Sequence, residues 1–183
     1  MASRWNGHPS DMAHNEIDVA APPEAVFAVL ADPRSYARWV VGSRRIRRAD
    51  RAWPAVGTKF DHAVGLGPLT IKDSSEVVES DPPRLLRLRV MTRPLAVAYV
   101  TLRMRPSGSG TRVEMDEVAA DTRSMLFFNP LSDPLIKLRN AESLRRLKAL
   151  AEGREPIPGG PLPARGTPGE GDVQASSAPA PPA

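Results

Sequence analysis

Two periodicities divide the chain. In Asn15–Ala20, Ile17 and Val19 alternate with polar residues, as on a half-buried strand. Pro22-Pro23 then opens a helix, because the N–H that proline lacks has no partner in a first turn. Val26, Phe27 and Leu30 follow at helical spacing. Asp32-Pro33 ends this helix, since the residue before a proline avoids the helical region. Pro33 starts a second short helix that carries Tyr36, Trp39 and Val40. A two-residue period runs through Val56, Thr58, Phe60, His62 and Val64, then through Ile71, Asp73, Ser75 and Val77. It continues through Leu86, Leu88 and Val90, through Val100, Leu102 and Met104, and through Val113, Met115 and Glu117. GLGP, SDPPR and PSGSG punctuate these runs as turns. From Pro130 or Leu135 to Glu152 the period is helical again. Ile136, Asn140, Leu144, Leu147 and Ala151 form one stripe, with Leu135, Leu138 and Leu150 beside it, and Gly153 stands where a helix-ending glycine belongs.

The pattern predicts an α+β domain: a strand, two short helices, about six more antiparallel strands and one long helix. A sheet with one apolar face must be covered. A single amphipathic helix across a curved sheet covers it imperfectly, so a cavity between the two is expected. With 183 residues, the chain has room for one domain and some tail. The domain is expected over 15–153, with a flexible segment over 1–14. The tail, 154–183, is expected to be disordered: eight of the 20 prolines lie beyond Gly153, and the segment lacks apolar residues to offset its ordering entropy.

There is no cysteine, which removes disulfides and thiolate chemistry. MASRWNGHPSDMAHNE holds no apolar run of the secretory kind, and Leu95–Leu102 is far short of the roughly 20 residues a spanning helix needs. A cytoplasmic protein that is not an integral membrane protein is therefore expected. The net charge of +4 is mild and arginine-driven. RRIRRADR, Arg44 to Arg51, concentrates five arginines without a recognition motif beside them. A solvated strand is expected there and no nucleic-acid partner; weak contact with anionic surfaces is the alternative.

Four stretches, in this order and spacing, carry a resemblance: IDVAAPPEAVFAVLADPRSYARW, VGTKF, VVESDPPRLLRL and GTRVEMDE, followed by the ending SLRRLKALAEG. Together they resemble the START-like, or SRPBCC, helix-grip superfamily, in its polyketide cyclase/dehydrase and lipid-transport branch, over about Asn15 to Gly153. The resemblance implies a curved antiparallel sheet of about seven strands gripping the long C-terminal helix. It also implies that the two short helices form a V beside that helix. Tyr36 and Trp39 would then sit near the rim of a cavity. It implies no catalytic motif, because members include enzymes, carriers and receptors.

His62 shares a strand face with Phe60, so it points inward either as a proton-transfer group or as a satisfied structural histidine. Asp73 and Glu117 have the inward parity of their strands, where a carboxylate must be paired, protonated or at a wet end. These three are the candidate catalytic residues. Tyr36, Trp39, Phe60, Met115, Asn140 and Leu144 are candidate ligand-binding residues, with Phe127 and Phe128 of LFFNPL as a gate or an end plug. No HxH or HxxxH pair occurs, and neither a metal nor another cofactor is expected. The leading functional expectation is binding or transport of a small hydrophobic molecule such as a lipid, polyketide or aromatic metabolite. The alternatives are a cyclase/dehydrase-like enzyme using those acid–base groups and, more weakly, a protein-interaction module.

If the chain beyond Arg154 only trails the domain, a version ending there should melt within about 3 °C of the full chain, since little apolar burial is lost. A differential scanning calorimetry trace showing a larger drop would mean that the tail packs on the domain.

Overall fold

The computed structural model describes residues 12–66, 69–92, 96–121, 124 and 133–154. The chain begins with strand β1 (Met12–Val19), followed by helix α1 (Pro23–Leu30), a single 3-10 turn (Pro33–Ser35) and helix α2 (Tyr36–Trp39). Strands β2 (Ser43–Ala49), β3 (Lys59–Leu66), β4 (Leu69–Asp81), β5 (Leu85–Thr92), β6 (Ala96–Ser107) and β7 (Gly110–Ala119) then run to helix α3 (Asp133–Ala151). The seven strands form one antiparallel sheet in the order β1-β7-β6-β5-β4-β3-β2. This is the order of elements that the periodicities predict, in the helix-grip arrangement that the resemblance implies. Strands adjacent in sequence, β1 and β2, lie at opposite edges, so α1 and α2 must carry the chain across the open face. They pack on α3 as they do so.

The crossing is held by polar side chains that satisfy the end of α1. A helix leaves its last carbonyls without intrahelical partners. Here Ser35 Oγ donates to the Val29 carbonyl at 2.6 Å, while Tyr36 Oη and Trp53 Nε1 both donate to the Leu30 carbonyl at 3.1 Å. Asp32 starts the next turn by accepting from the Arg34 backbone N–H at 3.0 Å. The aromatic bodies of these groups pack together: Tyr36 lies 4.6 Å from Phe60 and 5.0 Å from Trp39, and Trp53 lies 4.7 Å from Phe60, ring centre to ring centre. Tyr36, Trp39 and Trp53 thus bury apolar area and spend their polar tips on backbone or on Ser35. This cluster closes one end of the concave face.

Helix α3 lies over the rest. Asn140, Ser143, Leu144, Leu147 and Leu150 are buried along its sheet-facing stripe. Glu152 accepts from the Ala20 backbone N–H, and Asn15 Nδ2 donates to the Lys137 carbonyl, so the helix is tied to β1 at both ends. Its C-terminus is a Schellman turn: Gly153 N–H reaches the Leu150 carbonyl at 3.1 Å and Arg154 N–H the Ala149 carbonyl at 2.9 Å, with Gly153 at φ +69°. Leu135 and Leu138, expected beside the buried stripe, are each 69% exposed. At about 100° per residue these two positions lie about half and a third of a turn from Leu144, so they face away from the sheet. Val56, expected on the face shared with Phe60, is 64% exposed and lies in the turn before β3.

The outer face of the sheet is polar, as the alternation requires. Arg103 pairs with Asp116, Arg105 with Glu114 at 3.3 Å, and Arg112 with Asp18 at 2.9 Å. Such exposed pairs contribute little each; their main effect is to keep this face in water. Arg45, Arg47, Arg48 and Arg51 are exposed on or just after edge strand β2, where charge discourages edge-to-edge pairing. Register shifts in β2 and in β4, between Val77 and Glu79, mark bulges that bend the sheet. At the tip of the last hairpin, Gly110 passes β1 so closely that a Cβ there would lie 2.2 Å from the Val19 carbonyl oxygen, so only glycine fits.

The burial pattern of α3 is testable by neighbouring substitutions. Leu144→Asp places a charge in the core and should cost on the order of several kcal/mol in urea unfolding. Arg145→Asp, on the exposed side, should shift the midpoint only slightly. Equal losses would contradict the face assigned here.

Candidate functional site

Between the concave face of the sheet and α3, the protein encloses a cavity of about 310 Å³. Its floor is apolar and comes from the inward-facing residues of three strands: Leu88 and Val90 on β5, Ala98, Val100 and Leu102 on β6, and Met115 on β7. Tyr36 and Trp39 form part of the wall at the α2 side. Two polar clusters interrupt this lining, one at each side.

The first cluster sits on β2, β3 and β4. His62 and Asp73 are directly opposite on adjacent strands, and both are buried. His62 Nε2 lies 3.3 Å from Asp73 Oδ2, close enough for charge pairing but off the line a hydrogen bond needs. On its other side, His62 Nδ1 lies 3.1 Å from Ser43 Oγ. A proton on Nε2 faces the carboxylate and leaves Nδ1 to accept from the serine hydroxyl; a protonated ring donates on both sides. The ring also meets Phe60 edge-on at 5.1 Å, which fixes its plane. Ser75, two residues from Asp73 on β4, completes this side.

The second cluster joins β7 to α3. Glu117 is buried, and its Oε2 accepts from Asn140 Nδ2 at 2.8 Å and from the Arg139 guanidinium. Arg139 in turn donates to Asn140 Oδ1 from Nε at 3.2 Å and from Nη2 at 3.0 Å. A buried carboxylate is tolerated when charged and neutral donors converge on it, and the three side chains form a closed ring of such bonds. Ser143, one turn along α3, donates to the Arg139 carbonyl and accepts from the Val41 backbone N–H, linking the helix to the chain after α2.

The structure therefore brings His62, Asp73 and Glu117 to one cavity, but in two separate clusters. Tyr36, Trp39, Met115 and Asn140 also line it. Tyr36 and Trp39 are not at a rim, as expected, but are buried, because the end of α1 and Ser35 take their polar tips. Burial pushes the Tyr36 hydroxyl well above its ordinary pKa, so it is no acid near neutral pH. Phe60 and Leu144 are displaced from the lining: Phe60 is enclosed by Tyr36, Trp53 and His62, and Leu144 packs into the core. Phe127 and Phe128 lie outside the described residues. Among the described residues, no His, Cys, Asp or Glu stands with His62 and Asp73 to complete a three-ligand metal group.

The sequence profile of the family described as polyketide cyclase / dehydrase and lipid transport matches residues 13–152. The chain belongs to that family. No curated protein matches it. Its fold is shared by many solved structures. One is protein CV1439 from Chromobacterium violaceum, at 19% identity and a TM-score of 0.62, covering 78% of this chain and 97% of that one. Another is the di-domain ARO/CYC StfQ of the steffimycin biosynthetic pathway, at 14% identity and a TM-score of 0.63, covering 79% of this chain and 52% of StfQ. A third is DynU16, a putative protein in the dynemicin biosynthetic locus, at 19% identity and a TM-score of 0.61, covering 81% of this chain and 50% of that one. At these identities the likeness is one of fold.

Within this polyketide cyclase/dehydrase family member, four polar cavity residues were not singled out by sequence reasoning: Ser43, Ser75, Arg139 and Ser143. Ser75 has the inward parity of Asp73 and was legible on that signal alone. The bulges of β2 hide the parity of Ser43. Arg139 is 42% exposed and reads as a solvated helix cation; only its neighbour Asn140 on the buried stripe hints that its head group turns inward. In this family member, the Glu117–Arg139 contact should appear in a double-mutant cycle. Arg139→Met and Glu117→Gln, singly and together, should give a coupling of about 1 kcal/mol in chemical unfolding, modest because the arginine is partly solvated. Additive losses would mean that the two side chains do not interact in solution.

Proposed function

We propose that residues 15–153 form a ligand-binding domain that holds a small, largely apolar molecule in the cavity between the sheet and α3. The observation that carries this reading is the cavity itself: about 310 Å³, floored by six apolar side chains and fringed by a few buried polar groups. That is the lower end of the size range of small-molecule sites and their usual chemistry. StfQ, named as an ARO/CYC protein, and the family's description both support a ligand with carbon rings or chains.

A second reading is proton-transfer catalysis on such a molecule, and the His62–Asp73 pair favours it. Because its Nδ1 faces the Ser43 hydroxyl, a neutral His62 takes a substrate proton relayed through that hydroxyl, and the Asp73 carboxylate beside Nε2 stabilises the resulting cation. Glu117 is tied to Arg139 and Asn140 in the other cluster, so it supports this reading less. In this reading the cavity walls fold and orient the substrate while His62 moves the proton.

Ala98 lies at the centre of the floor, on β6. Ala98→Trp should fill the cavity, keep the wild-type circular dichroism spectrum and weaken naphthol binding by at least about tenfold in calorimetry. His62→Ala should leave binding nearly intact. If the domain catalyses proton transfer, the same substitution should abolish turnover of its substrate, because a general base acts mainly in the transition state. Undiminished naphthol binding by folded Ala98→Trp would overturn the cavity as the binding site.

A further inference from the structure

We infer that the cavity's ligand bears a hydrogen-bonding oxygen at each of two opposite ends, with a hydroxyl donor at one of them, and an apolar ring system between. The inference rests on the binding reading above and names the class of molecule that fits it.

Its basis is a pair of buried polar groups that open into the cavity. Ser75 is only 2% exposed, lines the cavity and makes no side-chain hydrogen bond among the described residues. Glu117, 6% exposed, receives both Asn140 and Arg139 on the same oxygen, Oε2. Its Oε1 receives no donor among the described residues. Neither Ser75 Oγ nor Glu117 Oε1 is among the side-chain atoms sealed away without a partner, so both face the open cavity, where a ligand's polar ends can meet them. Their chemistry differs. A serine hydroxyl donates or accepts, whereas a carboxylate oxygen held against a guanidinium accepts. The ligand atom that meets Glu117 must therefore carry a hydrogen.

The strand register places the two groups on opposite sides of the floor. Ser75 pairs with Val90, Val90 with Ala98 and Ala98 with Ala119, two residues from Glu117 on β7. Glu117 pairs with Val100, and Val100 with Leu88. The surface between the two polar groups is thus Leu88, Val90, Ala98 and Val100, all apolar. It crosses three strand spacings, about 14 Å of sheet, less what curvature and the two side chains take up. A molecule with one polar end leaves one group unpartnered; a rigid molecule with two satisfies both without bringing a polar atom onto the apolar floor.

Titration calorimetry at neutral pH with three probes tests this: a naphthalene diol with hydroxyls at opposite ends, the corresponding single-hydroxyl naphthol, and the dimethyl ether of the diol. The diol should bind about tenfold tighter than the naphthol, as one more hydrogen bond to a buried group allows. The ether, which cannot donate to Glu117, should lose that advantage. Ser75→Ala should lower diol affinity until the gap between diol and naphthol closes. Glu117→Gln, whose amide can donate, should narrow the gap between ether and diol. Equal binding of diol and naphthol, or an ether as tight as the diol, would overturn the two-ended ligand while the binding reading stands. Failure of every probe to bind would overturn both.

Discussion

A straight helix laid across the concave face of a bent, seven-stranded sheet touches it best where the walls come close and leaves the middle short of atoms. The bulges in β2 and β4 create that bend, and everything else in the domain responds to it. At one end the gap is closed by Tyr36, Trp39, Trp53 and Phe60, which reach inward from the crossing helix α2, the β2–β3 connection and β3. At the other end, Leu147 and Leu150 of α3 lie in the same core as Val19 of β1. Between these two plugs, small side chains such as Ala98 and Val100 face the helix, and the space above them stays open. The cavity is thus the part of the interior that the architecture leaves unfilled.

An open interior would be a simple packing loss if it were only apolar. Here it also holds two carboxylates, a histidine and several hydroxyls, each costly to bury. The protein offsets the cost locally. Asp73 has His62 across the strand pair, and Glu117 has Arg139 and Asn140 from the helix above. The second arrangement also serves the fold, because it ties α3 to β7 through charge-assisted bonds rather than through packing. Besides His62 Nε2, the Ser75 hydroxyl and one oxygen of Glu117 make no hydrogen bond among the described residues, and these two point to the space a ligand would take.

Much of the fold was legible in the residues. The two periodicities, the prolines at Pro22, Pro23 and Pro33, and Gly153 locate helices α1 to α3 and most described strands, since each acts through local geometry. The inward faces of β4 through β7 also follow from parity, which places Asp73, Glu117 and Met115 correctly. Parity fails where the ladder slips: Ser43 lies beside the bulges of β2, and its contact with His62 depends on that irregular edge. Tertiary context decides the remaining cases. Phe60 and His62 alternate identically on β3, yet the neighbouring rings enclose Phe60 and leave His62 at the cavity wall. Leu135 and Leu138 are apolar on the last helix, but they lie on its solvent side. Arg139 has no apolar signature at all, because only its head group turns toward Glu117.

The most direct measurement is a map of backbone amide chemical shifts in labelled protein as naphthol is added. The account predicts perturbations centred on Ser75, Val90, Ala98, Glu117 and Asn140, the residues around the cavity. Perturbations confined to the outer face, at Arg103, Arg105 and Glu114, with the interior amides unmoved, would contradict it.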